Sequence, residues 1–171
     1  SASSISFEFN LWRMKNFGCS ENFIYMNDDY FIGKPLKKSD FFYKNSEGKV
    51  VPYALYNKGI NYGQYAKVRG YHNYLKKGIK STSPHSSNGF RYQRMSTFMF
   101  LYDEVFNRDI KVPNDDLTYF PHNALGENLT ELKEIYNLVL NKYKYSNECM
   151  FSKFRNNKQF QHQTLYCFYF I

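Results

Sequence analysis

Phe23-Ile-Tyr-Met26, running straight into Asn27-Asp28-Asp29, is the stretch on which the reading of this fold turns. Four consecutive apolar, β-favouring residues predict a short buried strand that ends at two adjacent acids. A strand holds its backbone rigidly, and in open α/β sheets its C-terminal end faces the crevice where ligands bind. If the extended conformation continues, Asp28 and Asp29 point in opposite directions. One can then reach a metal or substrate while the other braces the loop. Mg²⁺ is commonly held by one or two carboxylates together with substrate phosphates. By residue type alone, the triplet reads more readily as an Asx-rich turn that closes the strand.

On the N-terminal side, Phe7, Leu11 and Met14 recur at helical spacing over Ile5–Phe17, with Ser3 or Ser4 to cap and Gly18 to stop. On the C-terminal side, Tyr30–Ile32 stays apolar until Gly33-Lys-Pro35 breaks the run. Ser39-Asp40 before Phe41-Phe42 suggests a capped helical turn, Lys44–Gly48 a polar turn, and Lys49–Leu55 a second strand despite Pro52. Residues 57–89 are polar and rich in Gly, Ser, Asn and Tyr, which predicts a long irregular segment. Met95–Phe106 returns to a helical pattern, and Pro113–Pro121 reads as loop. Leu129, Leu132, Ile135, Tyr136, Val139 and Tyr143 give the strongest amphipathic helix, with Asn128 as N-cap and Glu131 placed for a capping box. Gln159–Ile171 reads as a second, more buried helix. Strands alternating with helices predict a mixed α/β fold, a mixed sheet with flanking helices, in one domain over residues 1–171.

A chain of 171 residues that is 43 % hydrophobic and 20 % aromatic can build a core, which excludes a disordered polar chain. Its net charge of +8 favours anionic partners. The densest basic runs are only the pairs Lys37-Lys38 and Lys76-Lys77, without an Arg-rich arm, zinc-finger spacing or RNA-binding signature, so nucleic acid is set aside. Cys19, Cys149 and Cys167 form no C-x-x-C pair, so structural zinc is set aside and one disulfide with a free thiol stays open. No signal peptide and no apolar run of spanning length is present.

Glu21-Asn-Phe-Ile-Tyr-Met-Asn-Asp-Asp-Tyr-Phe-Ile-Gly-Lys-Pro-Leu36, followed by Ser39-Asp-Phe-Phe42, strongly resembles the second conserved region of the Stealth family. Pro121-His122, the helix Leu129–Tyr143, Phe151-Ser-Lys-Phe-Arg155 and the aromatic Leu165-Tyr-Cys-Phe-Tyr-Phe170 resemble its third region. Residues 1–56 then hold the Asn-Asp-Asp region, 57–112 an insert that finds no place on the family, and 113–171 the third-region helices. The family includes bacterial capsule hexose-1-phosphate transferases and the eukaryotic N-acetylglucosamine-1-phosphotransferase.

This resemblance implies a nucleotide-sugar transferase-like domain, incomplete because the family's first and fourth regions are not seen in this chain. It implies transfer of hexose- or N-acetylhexosamine-1-phosphate from a UDP-sugar to a glycan hydroxyl, with release of UMP. Alternatives are a glycosyltransferase releasing UDP and an inactive carbohydrate-binding relative. Asp28 and Asp29 match the family's acidic pair, as ligands of Mg²⁺ or Mn²⁺, with Asp29 preferred as the catalytic member. Arg155 matches the phosphate-gripping Arg ahead of the terminal helix, and Asn27 would brace the turn or contact the ligand. The family's His two residues before Pro is here Tyr119, while His122 follows Pro121. A Tyr is a poor base near neutral pH, so either His122 takes over or the site is impaired. Arg91 and Arg94, beside Ser86-Ser-Asn-Gly89, are candidate nucleotide contacts. His72, His85 and His162 lack ligand spacing and read as surface or core residues. Asn128-Leu-Thr130 is a glycosylation sequon that a helix cap explains equally well. The expected setting is Golgi-lumenal for a eukaryotic homologue, towards which the long unplaced segment leans, and the cytoplasmic membrane face for a bacterial one. Membrane association would come only through segments outside this chain, and the chain alone should be weakly active or inactive.

Overall fold

The computed structural model describes residues 3–26, 30–53, 57–60, 93, 97, 100–107, 117–119, 124–154, 156 and 158–170. The elements are α1 (Ser4–Glu8), a 3₁₀ segment (Leu11–Phe17), β1 (Asn22–Tyr25), a 3₁₀ turn (Lys38–Asp40), β2 (Phe42–Lys44) and β3 (Val50–Pro52). They continue with β4 (Asn57–Ile60), a π-helical turn (Phe100–Val105), β5 (Leu117–Tyr119) and β6 (Leu125–Asn128). Helices α2 (Leu129–Lys142), α3 (Ser146–Met150) and α4 (His162–Phe170) complete the order. The class is mixed α/β. Among the described residues the strands form three antiparallel pairs, β1–β6, β2–β3 and β4–β5.

The core gathers around α2. Ile135 and Val139 on its inner face are fully buried with Phe100, Leu101, Met150, Phe160 and Leu165. Phe160 stacks on Phe100 at 4.9 Å between centroids and sits 4.3 Å from Tyr143, so aromatic contact joins the π-helical turn to the end of α2. Thr97 secures that corner, donating to the Gln93 carbonyl at 2.8 Å and accepting from the Gln161 amide at 3.0 Å.

The helix α2 starts where the cap predicts. Asn128 Oδ1 accepts from the amides of Thr130 (3.0 Å) and Glu131 (3.1 Å), and its Nδ2 donates to Asn22 Oδ1 at 3.0 Å. The side chain is buried and engaged at both ends, so the cap accounts for the sequon asparagine. The other half of the expected capping box is replaced. Glu131 does not close back on Asn128; its carboxylate accepts from Lys49 Nζ at 3.2 Å and from the Tyr166 hydroxyl at 2.5 Å. Tyr166 Oη in turn accepts the Asn128 amide at 3.1 Å. Asn128→Ala therefore removes acceptors from two orphan amides and is expected to cost about 1–2 kcal/mol, measurable as a lower urea midpoint at unchanged slope.

Other differences have local causes. The predicted helix over Ile5–Phe17 breaks after Glu8 into a 3₁₀ segment, which Gly18 ends in the left-handed region at φ 80°. The expected strand through Leu55 is confined, in its described part, to Val50–Pro52. Asn57–Ile60, read as irregular, and Leu117–Tyr119, read as loop, are strands that pair with each other. Strand β1 is half-buried rather than buried, with Ile24 38 % exposed, and Phe31 and Ile32 stand in solvent. All three cysteines are free, which removes the disulfide. Among the described residues no helix is long and apolar enough to cross a membrane.

Candidate functional site

The candidate site is approached along the β1–β6 ladder. Its register pairs Asn22 with Asn128, Phe23 with Glu127, Ile24 with Gly126 and Tyr25 with Leu125. At the Tyr25–Leu125 end the chain leaves β1 through Met26 towards Asn27-Asp28-Asp29, and enters β6 from the His122 side through Ala124. Met26 and Ala124, the described residues next in sequence to the triplet and nearest to His122, thus follow and precede the two strands at one end of one ladder. Antiparallel pairing of β1 with β6 brings those two described chain ends together.

The ladder's other end is fastened to α2. The Glu21 carbonyl accepts the Leu129 amide at 2.9 Å, and Glu21 Oε1 accepts the Thr130 amide at 2.9 Å and the Thr130 hydroxyl. The Thr130 hydroxyl holds the Glu21 carboxyl below its usual pKa, and the positive end of the α2 dipole favours an anion there. Gly126 lets the β2–β3 hairpin lie against β6. A Cβ there would meet the Phe41 carbonyl oxygen and the Phe42 ring, each at 2.9 Å. Gly126→Ala should cost about 1–3 kcal/mol through overpacking, read as a lowered Tm.

Short helix α1 links this ladder to the Arg155 region. Glu8 accepts from Tyr25 Oη at 3.1 Å, while Ser6 Oγ donates to the Ser152 carbonyl at 2.6 Å and the Ser3 amide donates to the Lys153 carbonyl at 3.0 Å. Beyond Arg155, Asn156 Nδ2 donates to the Glu148 carbonyl at 2.9 Å. The chain on both sides of Arg155 is pinned to α1 and α3, and α1 also holds the last residue of β1.

Asn27, Asp28, Asp29, Arg91, Arg94, His122 and Arg155 themselves lie outside the described residues, as do His72, His85 and Ser86–Gly89. Tyr119 is placed by its backbone at the end of β5, opposite Asn57. His162 is a core residue, 1 % exposed, with its ring edge-on to Phe9 at 5.6 Å between centroids. Among the described residues no cluster of three or more His, Cys, Asp or Glu can hold a metal.

Two features escaped the sequence reading. The first is a buried ionisable pair: Glu127 of β6 and His162 of α4 approach to 3.8 Å, and both are essentially inaccessible. Neither Glu127 oxygen nor His162 Nδ1 has a hydrogen-bond partner among the described residues. Burial, helped by the Glu8 charge, pushes the Glu127 carboxyl up to about 8, and burial pushes His162 down to about 4. Both groups are then neutral at pH 7. The second feature is a cleft of about 690 Å³ between the β2–β3 hairpin and α4, lined among others by Tyr43, Lys49, Tyr53, Glu131 and Phe170.

Over 38 residues, 22 % of this chain, the sequence is 58 % identical to the capsular polysaccharide phosphotransferase fcs1 of Haemophilus influenzae. That stretch spans 10 % of the relative's own length. No family model and no solved structure matches the chain.

Proposed function

We propose that this chain belongs to the catalytic region of a sugar-1-phosphate transferase of polysaccharide assembly, with a UDP-sugar as donor and a glycan hydroxyl as acceptor. The 58 % identity over 38 residues to a capsular polysaccharide phosphotransferase carries this reading. It supports a transferase-type role at the general level, and the motif resemblance narrows it to sugar phosphate. The ladder register adds support, because it sets the chain leading to the acidic triplet beside the chain coming from His122.

In the proposed reaction the acceptor hydroxyl oxygen forms a bond to the sugar-bearing phosphorus. The bond from that phosphorus to the UMP oxygen breaks, the hydroxyl proton passes to a base, and a phosphodiester and UMP result. Asp28 and Asp29 offer hard carboxylate oxygens, a donor set that suits Mg²⁺ or Mn²⁺, and would hold the cation. Such a cation supplies neutralisation of the charge gathering on the phosphate oxygens. Arg155 is the candidate donor to those oxygens, in the bidentate geometry guanidinium favours. His122 is the candidate base, because imidazole is the side-chain type suited to taking up a proton near neutral pH, and Asn27 would brace the turn between strand and acids. Arg91, Arg94 and Tyr119 are assigned to contacts with the donor.

The full-length protein, given UDP-N-acetylglucosamine, Mg²⁺ and an oligosaccharide acceptor, should release UMP in step with acceptor modification. Release of UDP instead would make it a glycosyltransferase. Absence of both products, over a panel of UDP-sugars, would leave the inactive carbohydrate-binding relative to which Tyr119 points.

A further inference from the structure

We propose that the cleft between the β2–β3 hairpin and α4 binds a neutral glycan segment of one or two sugar residues, which deepens and rests on the transfer reaction proposed above by naming where its acceptor lies. A volume of about 690 Å³ falls in the range of small-molecule sites. Its hairpin wall carries Tyr43 and Tyr53, stacked at 5.0 Å between centroids and still 42 % and 46 % exposed, so ring surface is left for a ligand. Phe170 lines the cleft from α4. Sugar rings present apolar C–H faces to aromatic rings and hydroxyls to polar groups at the edge. Lys49 and Glu131, themselves an ion pair at 3.2 Å, supply that polar edge on a nearly buried carboxylate.

Charge selects the ligand class. Although the chain carries +8, the ionisable groups among the described lining residues are one cation, Lys49, and the carboxylates of Glu47 and Glu131. Against these described groups a phosphate or nucleotide meets no surplus of positive charge, whereas an uncharged polyol loses nothing. Position selects the role. Leu125 lines the cleft and is the register partner of Tyr25, so the cleft reaches the end of the ladder from which the chain runs into Asn27-Asp28-Asp29.

Titration of the ¹⁵N-labelled chain with neutral di- to tetrasaccharides of glucose, galactose and N-acetylglucosamine tests this without turnover. At least one should shift the amides of Tyr43, Tyr53 and Phe170, with UMP unable to displace it. Tyr43→Ala and Tyr53→Ala should each weaken that binding at least about ten-fold, while Tyr43→Phe and Tyr53→Phe stay within about two-fold. No binding by any saccharide, displacement by UMP, or shifts confined to residues away from the hairpin would each overturn the proposal. A glycan mapped to the cleft by a full-length protein that releases no UMP would keep this site and remove the transfer reaction. UMP release with the glycan mapped elsewhere would do the reverse.

Discussion

Asp28→Asn combined with Asp29→Asn should lower sugar-phosphate transfer by the full-length protein at least about 10³-fold, the scale of losing preorganised charge stabilisation. Asparagine keeps the size of each side chain and the turn preference shared by Asn and Asp, so fold and Tm should change little. What is lost is the negative charge that, in the proposed reaction, would hold a divalent cation against a diphosphate. Phosphoryl transfer asks the protein mainly for positioning and neutralisation, so that loss falls on the chemical step. Asp29→Asn alone should cost more than Asp28→Asn alone. Raising Mg²⁺ should partly restore the single variants and leave the double variant inactive. Unchanged turnover in the double variant would end the proposed mechanism.

Glu127→Gln should change how stability depends on pH. The unfolded chain releases the Glu127 proton near 4.5, while the folded chain keeps it to about 8. Its contribution is therefore fully present below 4.5 and is lost as pH rises towards 8. The neutral His162 of the folded state works oppositely. Its contribution is present above 6.5 and is lost as pH falls towards 4. Each group contributes a slope of about 1.4 kcal/mol per pH unit of opposite sign. The slopes cancel between 4.5 and 6.5. From 6.5 to 8 only Glu127 remains, and wild-type stability should fall by about 2 kcal/mol. In Glu127→Gln that fall disappears, and stability instead rises with pH between 4 and 6.5 because His162 is left uncompensated. Glu8, held by Tyr25 Oη, sharpens the effect through its charge; Tyr166 and Cys167 also sense Glu127, and burial drives both above their ordinary values. Urea titrations of both proteins at pH 5, 6.5 and 8 supply the comparison. A wild-type profile parallel to that of the variant would mean that the folded carboxyl is already ionised at pH 6.5.

Features written in local sequence were legible. Asn128 caps α2, and the spacing from Leu129 to Val139 puts their side chains in the core because a helix's own period decides its face. Phe23–Met26 was readable as a strand for the same local reason. What depended on distant partners was not. Asn57-Lys-Gly-Ile60 has little β propensity and becomes a strand only by pairing with Leu117–Tyr119, sixty residues on and flanked by prolines that suggest loop. Glu127 gives no sign of burial, since an acid in a short strand ordinarily faces water. His162 was placed among surface or core residues, and the edge of Phe9 decides for the core. The triplet stood out through its resemblance to a family motif, while the cleft needed the hairpin folded against β6 across Gly126. Tyr43 and Tyr53, ten residues apart in an unremarkable hairpin, carry no sequence signal of a binding wall.

The pairing of Asn22 with Asn128 spans 106 positions. Closing a loop of that size costs roughly 2 kcal/mol more than closing one of ten residues, and each doubling adds only about 0.6 kcal/mol. The ladder should accordingly assemble late and slowly during folding, after α2 and the hairpin have formed from neighbours. Once that toll is met, the length of the intervening chain hardly matters. Residues between β4 and the π-helical turn could grow or shrink across evolution with little effect on how tightly the β1–β6 ladder is held.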